Sequence, residues 1–149
     1  MMYQLKQRYS ISQIGVCGVV IMKKRLFRAI AIILVLIILY FVVPGFMKNR
    51  SVVIDNYIVS ADGKEITLNV SVLSSMGYVR SAKIHQQQGG KLYLDFYSAF
   101  GGPNGFIGAK KDYTIQLDEK TTIIAVYRNQ NAYEEILVKA ADGTWQRVE

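Results

Sequence analysis

The feature that most constrains this chain is the hydrophobic segment from Leu26 to Met47, which contains no acidic residue. Between Ala29 and Val43 every side chain is aliphatic or aromatic. At about 1.5 Å per residue, the segment would form a helix of about 33 Å, longer than the roughly 30 Å hydrocarbon core of a bilayer. A helix buried in a soluble domain usually keeps a polar face, and this segment has none. We therefore predict one transmembrane helix.

A cleaved secretory signal is the alternative interpretation of this segment, with the basic residues 23–25 as its leading region. The apolar run is long for a signal, no A-x-A cleavage pattern follows it, and Pro44 would lie beside the cut. These features favour an uncleaved anchor. We predict a basic cytoplasmic flank and signal anchor at residues 22–47, followed by a separate domain at residues 48–149.

Cationic residues are concentrated before the hydrophobic segment, and few follow it closely. The first group comprises Lys6, Arg8, Lys23, Lys24, Arg25 and Arg28, and the second comprises Lys48 and Arg50. Because cationic flanks tend to stay in the cytoplasm during insertion, we expect the N-terminus inside. The chain is then a single-pass protein of the cell membrane with an extracytoplasmic C-terminal domain.

The net charge of +7 belongs to the anchor region and not to the predicted domain. Residues 1–50 contain eight Lys or Arg and no acid, whereas residues 51–149 contain ten Lys or Arg against eleven Asp or Glu. A nearly neutral domain lacks the basic surface that nucleic-acid binding requires. We expect the membrane as a partner and no nucleic acid.

The first 21 residues differ from the rest of the chain, and Met22 with the basic residues 23–25 is typical of the start of a bacterial signal anchor. We predict that translation begins at Met22 and that residues 1–21 are an upstream extension. Cys17, the only cysteine, lies in this extension. Val16 precedes it and the apolar run comes afterwards, which is not the pattern of a lipidation site. The domain has no cysteine, so a packed core must stabilise it without disulfides.

Beyond Ser51 the hydrophobic pattern changes to short runs with a period of two, separated by turn residues. The first run, residues 51–59, is followed by an Asp62-Gly63 turn and by a run in which apolar and polar residues alternate. Gly89-Gly90 joins two further runs as a predicted hairpin. Three more runs follow at residues 111–117, 121–128 and 133–139. We predict an all-β domain, a small antiparallel β-sandwich with an immunoglobulin-like arrangement, or second a small barrel.

The domain offers few groups for catalysis or metal binding. His85 is its only histidine and is expected at the surface, with no second His or Cys to complete a zinc site. Asp95 shares a strand face with Tyr93 and Tyr97, so its carboxylate is expected to meet solvent. No partner carboxylate or nucleophile motif is recognisable. We predict no catalytic residues, no cofactor, no metal site and no enzymatic activity.

The glycine-rich segment 98–111 is the most unusual part of the domain. It has two interpretations, a structural crossover whose phenylalanines lie under the sheet edge, or a binding loop. In the second interpretation its apolar residues join the tyrosine side of the preceding strand. The candidate binding surface then comprises Tyr93, Asp95, Tyr97, Phe100, Phe106 and Ile107.

The order of these patterns resembles a family. A polar strand pair is followed by Ser74-Ser75-Met76-Gly77-Tyr78, then by a Gly-Gly hairpin leading into KLYLDFY, a glycine-rich loop, YTIQL, TTIIAVY and a final hairpin near Trp145. Over about residues 22–149 the chain resembles small membrane-anchored or lipoprotein-like cell-envelope proteins of low-GC Gram-positive bacteria with a single β-sandwich domain. The resemblance implies the fold and the location, and it assigns no functional residue.

Two classes of function remain. The favoured one is a non-enzymatic binding module at the cell envelope that contacts another envelope protein, a wall polymer or a secreted ligand. The alternative is an accessory or sensor subunit that acts through its transmembrane helix beside a transporter or kinase. A polar residue in the span would favour the alternative, and between Ala29 and Phe41 only Tyr40 has a polar group.

Overall fold

The computed structural model describes residues 23–73, 77–129 and 132–148. The predicted start at Met22, and Cys17 with the rest of the extension, lie outside the described residues. The chain divides into two units, Met1–Leu39 and Tyr40–Glu149. The second unit holds both the sheets and the residues that end the apolar helix.

One helix, Lys23–Phe46, is long and apolar enough to cross a membrane. Its last four residues, Val43–Phe46, form a 3-10 turn. Pro44 explains the change, because it lacks the N–H group that would continue the α-helical hydrogen bonds. The predicted apolar helix is therefore present. Its insertion and its orientation in a membrane stay predictions.

Eight strands are formed by the described residues. They are β1 (Val52–Val59), β2 (Glu65–Val72), β3 (Val79–Gln88), β4 (Lys91–Ser98), β5 (Asp112–Gln116), β6 (Ile123–Asn129), β7 (Ala132–Lys139) and β8 (Trp145–Arg147). Their positions follow the period-two runs of the sequence, and the protein is mostly β, as predicted. The Gly89-Gly90 hairpin is also confirmed, with φ of +60° and +79° at the two glycines, a region of backbone space that glycine enters without steric cost.

The strands form two sheets, ordered β1-β2-β5 and β3-β4-β6-β7-β8. Within the described strands every neighbouring pair is antiparallel except β4 and β6, which are parallel. The prediction of a purely antiparallel sheet is therefore wrong at this pair. The chain leaves the larger sheet after β4, forms β5 in the smaller sheet, and returns as β6. Because only one strand intervenes, β6 runs in the same direction as β4.

The two sheets share one hydrophobic core. The smaller sheet contributes alternate residues of β2, among them Ile66 and Leu68, and the larger sheet contributes Leu92, Leu94 and Phe96 of β4. All five side chains are fully buried. Removing apolar surface from water stabilises the fold by about 25 cal/mol per Å². This core orients β4, since its inward residues determine which residues point outward.

Candidate functional site

The outer face of β4 carries three of the six predicted site residues, Tyr93, Asp95 and Tyr97. The two tyrosines are half-buried. Asp95 is only 2% exposed, although it lies on the face opposite the core. The prediction that its carboxylate meets solvent is therefore wrong. The alternation of residues along β4 assigned Asp95 to the correct face of the strand. However, side chains from other segments cover its carboxylate.

Three polar groups from separate segments converge on the Asp95 carboxylate. Lys48 Nζ lies 2.6 Å from Oδ2, and the Tyr133 hydroxyl donates a hydrogen bond to Oδ1 at 2.9 Å. His85 Nδ1 lies 3.4 Å from Oδ2. A buried carboxylate is costly to leave without partners, so these contacts make its burial possible.

Backbone pairing at the end of β4 positions Lys48. The Asn49 N–H donates to the Phe96 carbonyl at 2.7 Å, and the Ser98 N–H donates to the Met47 carbonyl at 3.1 Å. Lys48 thereby forms a short antiparallel bridge with Tyr97. Its side chain can then extend across the outer face of the sheet to Asp95.

A β-bulge positions His85. The register between β3 and β4 shifts between Ile84 and Gln86, so that His85 is the extra residue on β3. A bulge redirects a side chain and increases the local twist. The His85 ring is half-exposed and stacks on Tyr133, with ring centroids 5.8 Å apart. The prediction of a surface histidine holds for its exposure, but its contact with Asp95 was not foreseen.

Tyr133 lies at the centre of an aromatic cluster. Its ring packs edge-on against Tyr93 at 5.0 Å and against Tyr127 at 5.7 Å between centroids. Edge-to-face packing of this kind is favourable for aromatic rings. We call this surface the tyrosine face, and it consists of Tyr93, Tyr97, Tyr127 and Tyr133 around Asp95.

Two lysines lie over rings of the tyrosine face. Lys48 Nζ is 4.7 Å from the centre of the Tyr127 ring, and Lys83 Nζ is 5.5 Å from the centre of the Tyr97 ring. A cation within about 6 Å of an aromatic ring is attracted to its face. The surface therefore combines aromatic rings with positive charge above a single buried negative charge.

The protonation states of the cluster follow from its contacts. The hydrogen bond to Asp95 raises the pKa of Lys48 against an opposing effect of desolvation. Burial raises the pKa of Tyr133, and the hydrogen bond it donates to Asp95 raises it further. At neutral pH Lys48 is therefore a cation and Tyr133 a neutral donor. Both carboxylate oxygens of Asp95 are thus paired within the domain.

The other three predicted residues, Phe100, Phe106 and Ile107, lie on the loop between β4 and β5. Phe100 is half-buried, and its ring lies 4.5 Å from the Arg80 guanidinium carbon. Phe106 is 71% exposed, and Ile107 is also exposed. The expectation that the phenylalanines lie under the sheet edge is wrong for Phe106, whereas Phe100 packs against Arg80 and against Phe46 at the end of the helix. The six predicted residues therefore lie on two consecutive segments, the outer face of β4 and the loop that follows it.

Several residues of the Asp95 network and the tyrosine face were not predicted from the sequence. Tyr127 could have been found, because it alternates with the core residues Ile124 and Val126 on β6. Alternation does not assign Tyr133, because a register shift in β7 gives it the same parity as the core residue Leu137; its pairing with Tyr127 places it on the outer face. Lys48 precedes the first strand, and no local pattern indicates that it reaches β4. Across the described ranges, no three His, Cys, Asp or Glu side chains converge in a way that could hold a metal ion.

Comparison with known proteins adds no assignment to this geometry. No family model, curated protein or solved structure matches the chain.

Proposed function

We propose that this chain is a single-pass membrane protein whose extracytoplasmic domain is a non-enzymatic binding module, with the tyrosine face as its recognition surface. The observation that supports it is the buried Asp95 network on the side of the sheet away from the core. The core does not need a carboxylate there. The partner is an envelope protein, a wall polymer or a secreted ligand.

The contacts of Asp95 support recognition because they restrict the groups around it. Lys48 and Tyr133 are each held by one carboxylate oxygen, and Tyr93 is held by its edge contact with Tyr133. Side chains that are ordered before binding lose less entropy when a ligand arrives. Tyrosine also offers a rigid apolar ring with a polar tip, and it is enriched at binding hot spots.

We infer a β-sandwich from the two sheets and their common core. The order β1-β2-β5 matches strands A, B and E of an immunoglobulin sheet, which supports an immunoglobulin-like arrangement. The parallel β4–β6 pair departs from that arrangement, whose sheets are antiparallel. The immunoglobulin-like detail therefore stays a prediction.

Membrane placement is supported by the apolar helix Lys23–Phe46 and by the cations at its N-terminal end. A direct test replaces Cys17 with Ser and adds Thr114→Cys on the exposed side of β5. In intact cells, a membrane-impermeant maleimide should label this cysteine. Labelling only after the cells are permeabilised would contradict the proposed orientation.

Site-specific photocrosslinking tests the recognition surface. A photoreactive phenylalanine analogue is placed at Tyr93 or Tyr97 of the full-length protein in its native membrane, with Thr114 as the matched position on the other sheet. We expect the same partner to be captured at Tyr93 and Tyr97 but not at Thr114. In addition, Tyr97→Ala should reduce capture at position 93 without changing thermal stability.

Two outcomes would contradict this proposal. Equal capture at all three positions would indicate contact without a specific surface. Capture only by probes within the apolar helix would favour an accessory subunit that acts through its span.

A further inference from the structure

Exposed apolar side chains occur both at the end of the apolar helix and on the loop between β4 and β5. Phe46 is 67% exposed, Met47 is similarly exposed, and Phe106 and Ile107 project from the loop. An exposed apolar cluster marks an interaction site more often than scattered single residues do. We therefore expect these side chains to be covered by a partner or by a membrane.

Direct contacts hold the loop against the end of the helix. The Gly101 N–H donates to the Phe41 carbonyl at 2.9 Å, and the rings of Phe46 and Phe100 lie 5.6 Å apart. A side chain on Gly45 would meet the Phe100 ring at 2.0 Å, so the approach requires glycine. The loop therefore lies beside residues 40–46.

The depth of residues 40–46 follows from the length of a span. About 20 helical residues cross a hydrocarbon core of about 30 Å. Counted from Leu26, where the hydrophobic segment begins, 20 residues end at Gly45. Residues 40–46 then occupy the outermost part of the bilayer, and the loop beside them lies at the same depth.

The loop backbone is suited to a poorly hydrated environment, because several of its N–H groups are paired within the loop. Phe100 and Ile107 exchange two hydrogen bonds, at 3.2 and 3.1 Å. The Gly105 N–H donates to the Gly102 carbonyl at 3.1 Å, and the Ala109 N–H donates to the Phe106 carbonyl at 2.9 Å. Unpaired backbone groups are costly in a membrane, and residues 98–109 also carry no charged side chain.

Cations flank the apolar residues. Lys110 and Lys111 follow the loop directly, Arg50 follows the helix, and all three are exposed. Arg80 donates a hydrogen bond to the Gly45 carbonyl at 2.8 Å, which places a fourth cation beside the helix end. Apolar side chains next to cations are the pattern of a surface that enters the interface of a membrane with anionic lipids.

We propose that the loop of residues 98–109 is a second membrane contact, which seats Phe106 and Ile107 in the outer interface of the bilayer that the helix spans. Lys110 and Lys111 bind anionic headgroups beside it. The inference rests on the membrane anchoring proposed above. The second contact limits rotation of the domain about the helix end, so the tyrosine face is presented in a restricted set of directions.

Fluorescence quenching in vesicles tests the seating. Phe106→Cys in full-length protein carrying Cys17→Ser is labelled with a small environment-sensitive dye and reconstituted with lipid that has a spin label near its headgroup. Phe46→Cys serves as the control for the span, and Thr114→Cys as the control for the aqueous side. We expect quenching at 106 close to that at 46 and at least about twofold above that at 114.

The controls separate this inference from the anchoring on which it rests. Quenching at 46 without quenching at 106 would overturn the second contact and leave the span intact. Absence of quenching at both positions would overturn the anchoring itself. Ile107→Cys repeats the measurement at a neighbouring exposed position, and Trp145 fluorescence confirms that each labelled variant is folded.

Lipid composition tests the headgroup contact. Quenching at 106 is compared in phosphatidylcholine vesicles with and without phosphatidylglycerol. We expect stronger quenching with the anionic lipid, and the combined Lys110→Gln and Lys111→Gln variant should remove the difference. Equal quenching in both vesicles with the parent lysines would overturn the headgroup contact.

Discussion

Leu94 and Asp95 are neighbours on β4, and both are withdrawn from solvent, with 0% and 2% exposure respectively. The physical reasons are opposite. Leu94 is buried in the core because water is a poor solvent for its side chain, and this effect has no direction. Asp95 is buried because Lys48, Tyr133 and His85 provide directed partners. Although Leu94 and Asp95 are almost equally buried, we therefore expect mutations at the two positions to change the free energy of unfolding differently.

The largest effect should come from the inner face. Leu94→Ala leaves a cavity in a core that both sheets share, and such changes cost about 2–5 kcal/mol of the free energy of unfolding. Denaturant unfolding of the full-length protein in detergent, followed by the buried Trp145, measures it. Leu73→Ala is the matched control, because Leu73 is exposed. Equal losses at the two positions would contradict the assignment of the core.

Asp95→Ala should have the next largest effect. It leaves Lys48 and Tyr133 without their partner, and we expect a loss of about 1–3 kcal/mol in the same assay. Lys48 limits the loss because its side chain is 30% exposed and can turn toward water. Asp118→Ala, at an exposed turn, is the control.

A double variant sharpens this comparison between the faces. Replacing both partners of a buried ion pair with apolar residues is often nearly neutral. Asp95→Leu with Lys48→Met should therefore recover part of the stability lost in Asp95→Ala. A double variant that is less stable than Asp95→Ala would show that the outer face depends on more than this pair.

Tyr133→Phe should cost less, about 0.5–1.5 kcal/mol, because it removes one hydrogen bond and keeps the ring. Tyr93→Phe is the matched control, since its ring contacts Tyr133 but its hydroxyl is not among the described partners of Asp95. Thermal unfolding compares the two. Similar losses would place the stabilisation in the rings and not in the contact with Asp95.

Alkaline pH should weaken the outer face. The pKa of Lys48 is raised above 10.5 and that of Tyr133 above 10.0 in the folded state. The folded protein therefore binds more protons than the unfolded chain once the pH exceeds about 10, and stability falls as the pH rises further. Burial also raises the pKa of Tyr113 in the core to about 12. This shift likewise lowers the stability of the folded protein as the pH rises.

The contribution of Lys48 is isolated by substitution. The stabilisation from its raised pKa is present below 10.5 and is lost as the pH rises through the folded pKa. Lys48→Met should thus show a shallower decrease of stability with pH than the parent protein, measured by denaturant unfolding at a series of alkaline pH values. Identical slopes would indicate that Asp95 does not hold Lys48 in solution.

The smallest effect should come from the ion pair between Lys91 and Glu135 on the same outer face. Its atoms are 2.5 Å apart, but both side chains are well exposed. Exposed pairs add little stability because water and salt screen them. Lys91→Gln should leave the unfolding midpoint unchanged. A loss as large as that of Tyr133→Phe would extend the structural network to this part of the sheet.

Much of the domain could be predicted from local patterns. The alternation of Leu92, Leu94 and Phe96 with Tyr93, Asp95 and Tyr97 assigned each residue of β4 to its face. The glycines of the β3–β4 hairpin were equally readable, because a tight turn needs positive φ. The parallel pairing of β4 and β6 could not be predicted from local patterns. It arises because β5, which lies between them in the sequence, joins the other sheet, and no local pattern indicates which sheet a strand joins.

The candidate site was only partly predictable, for a related reason. The surface drawn from the sequence combined Asp95 with Phe106, and the structure buries the first and leaves the second exposed. It also omitted Lys48, which is far from Asp95 along the chain. A bulge at His85 shifts that side chain relative to a regular alternation.

The sequence by itself determined the apolar helix, the positions of the strands and the inward and outward faces of β4. These properties depend on hydrophobicity and on the geometry of consecutive residues, which act locally. Only the tertiary structure decided that Asp95 is buried, that Lys48 and Tyr133 are its partners, and that a glycine-rich loop lies beside the helix end. Each of these depends on contacts between segments distant in sequence, and burial is a property of what packs over a residue and not of the residue itself.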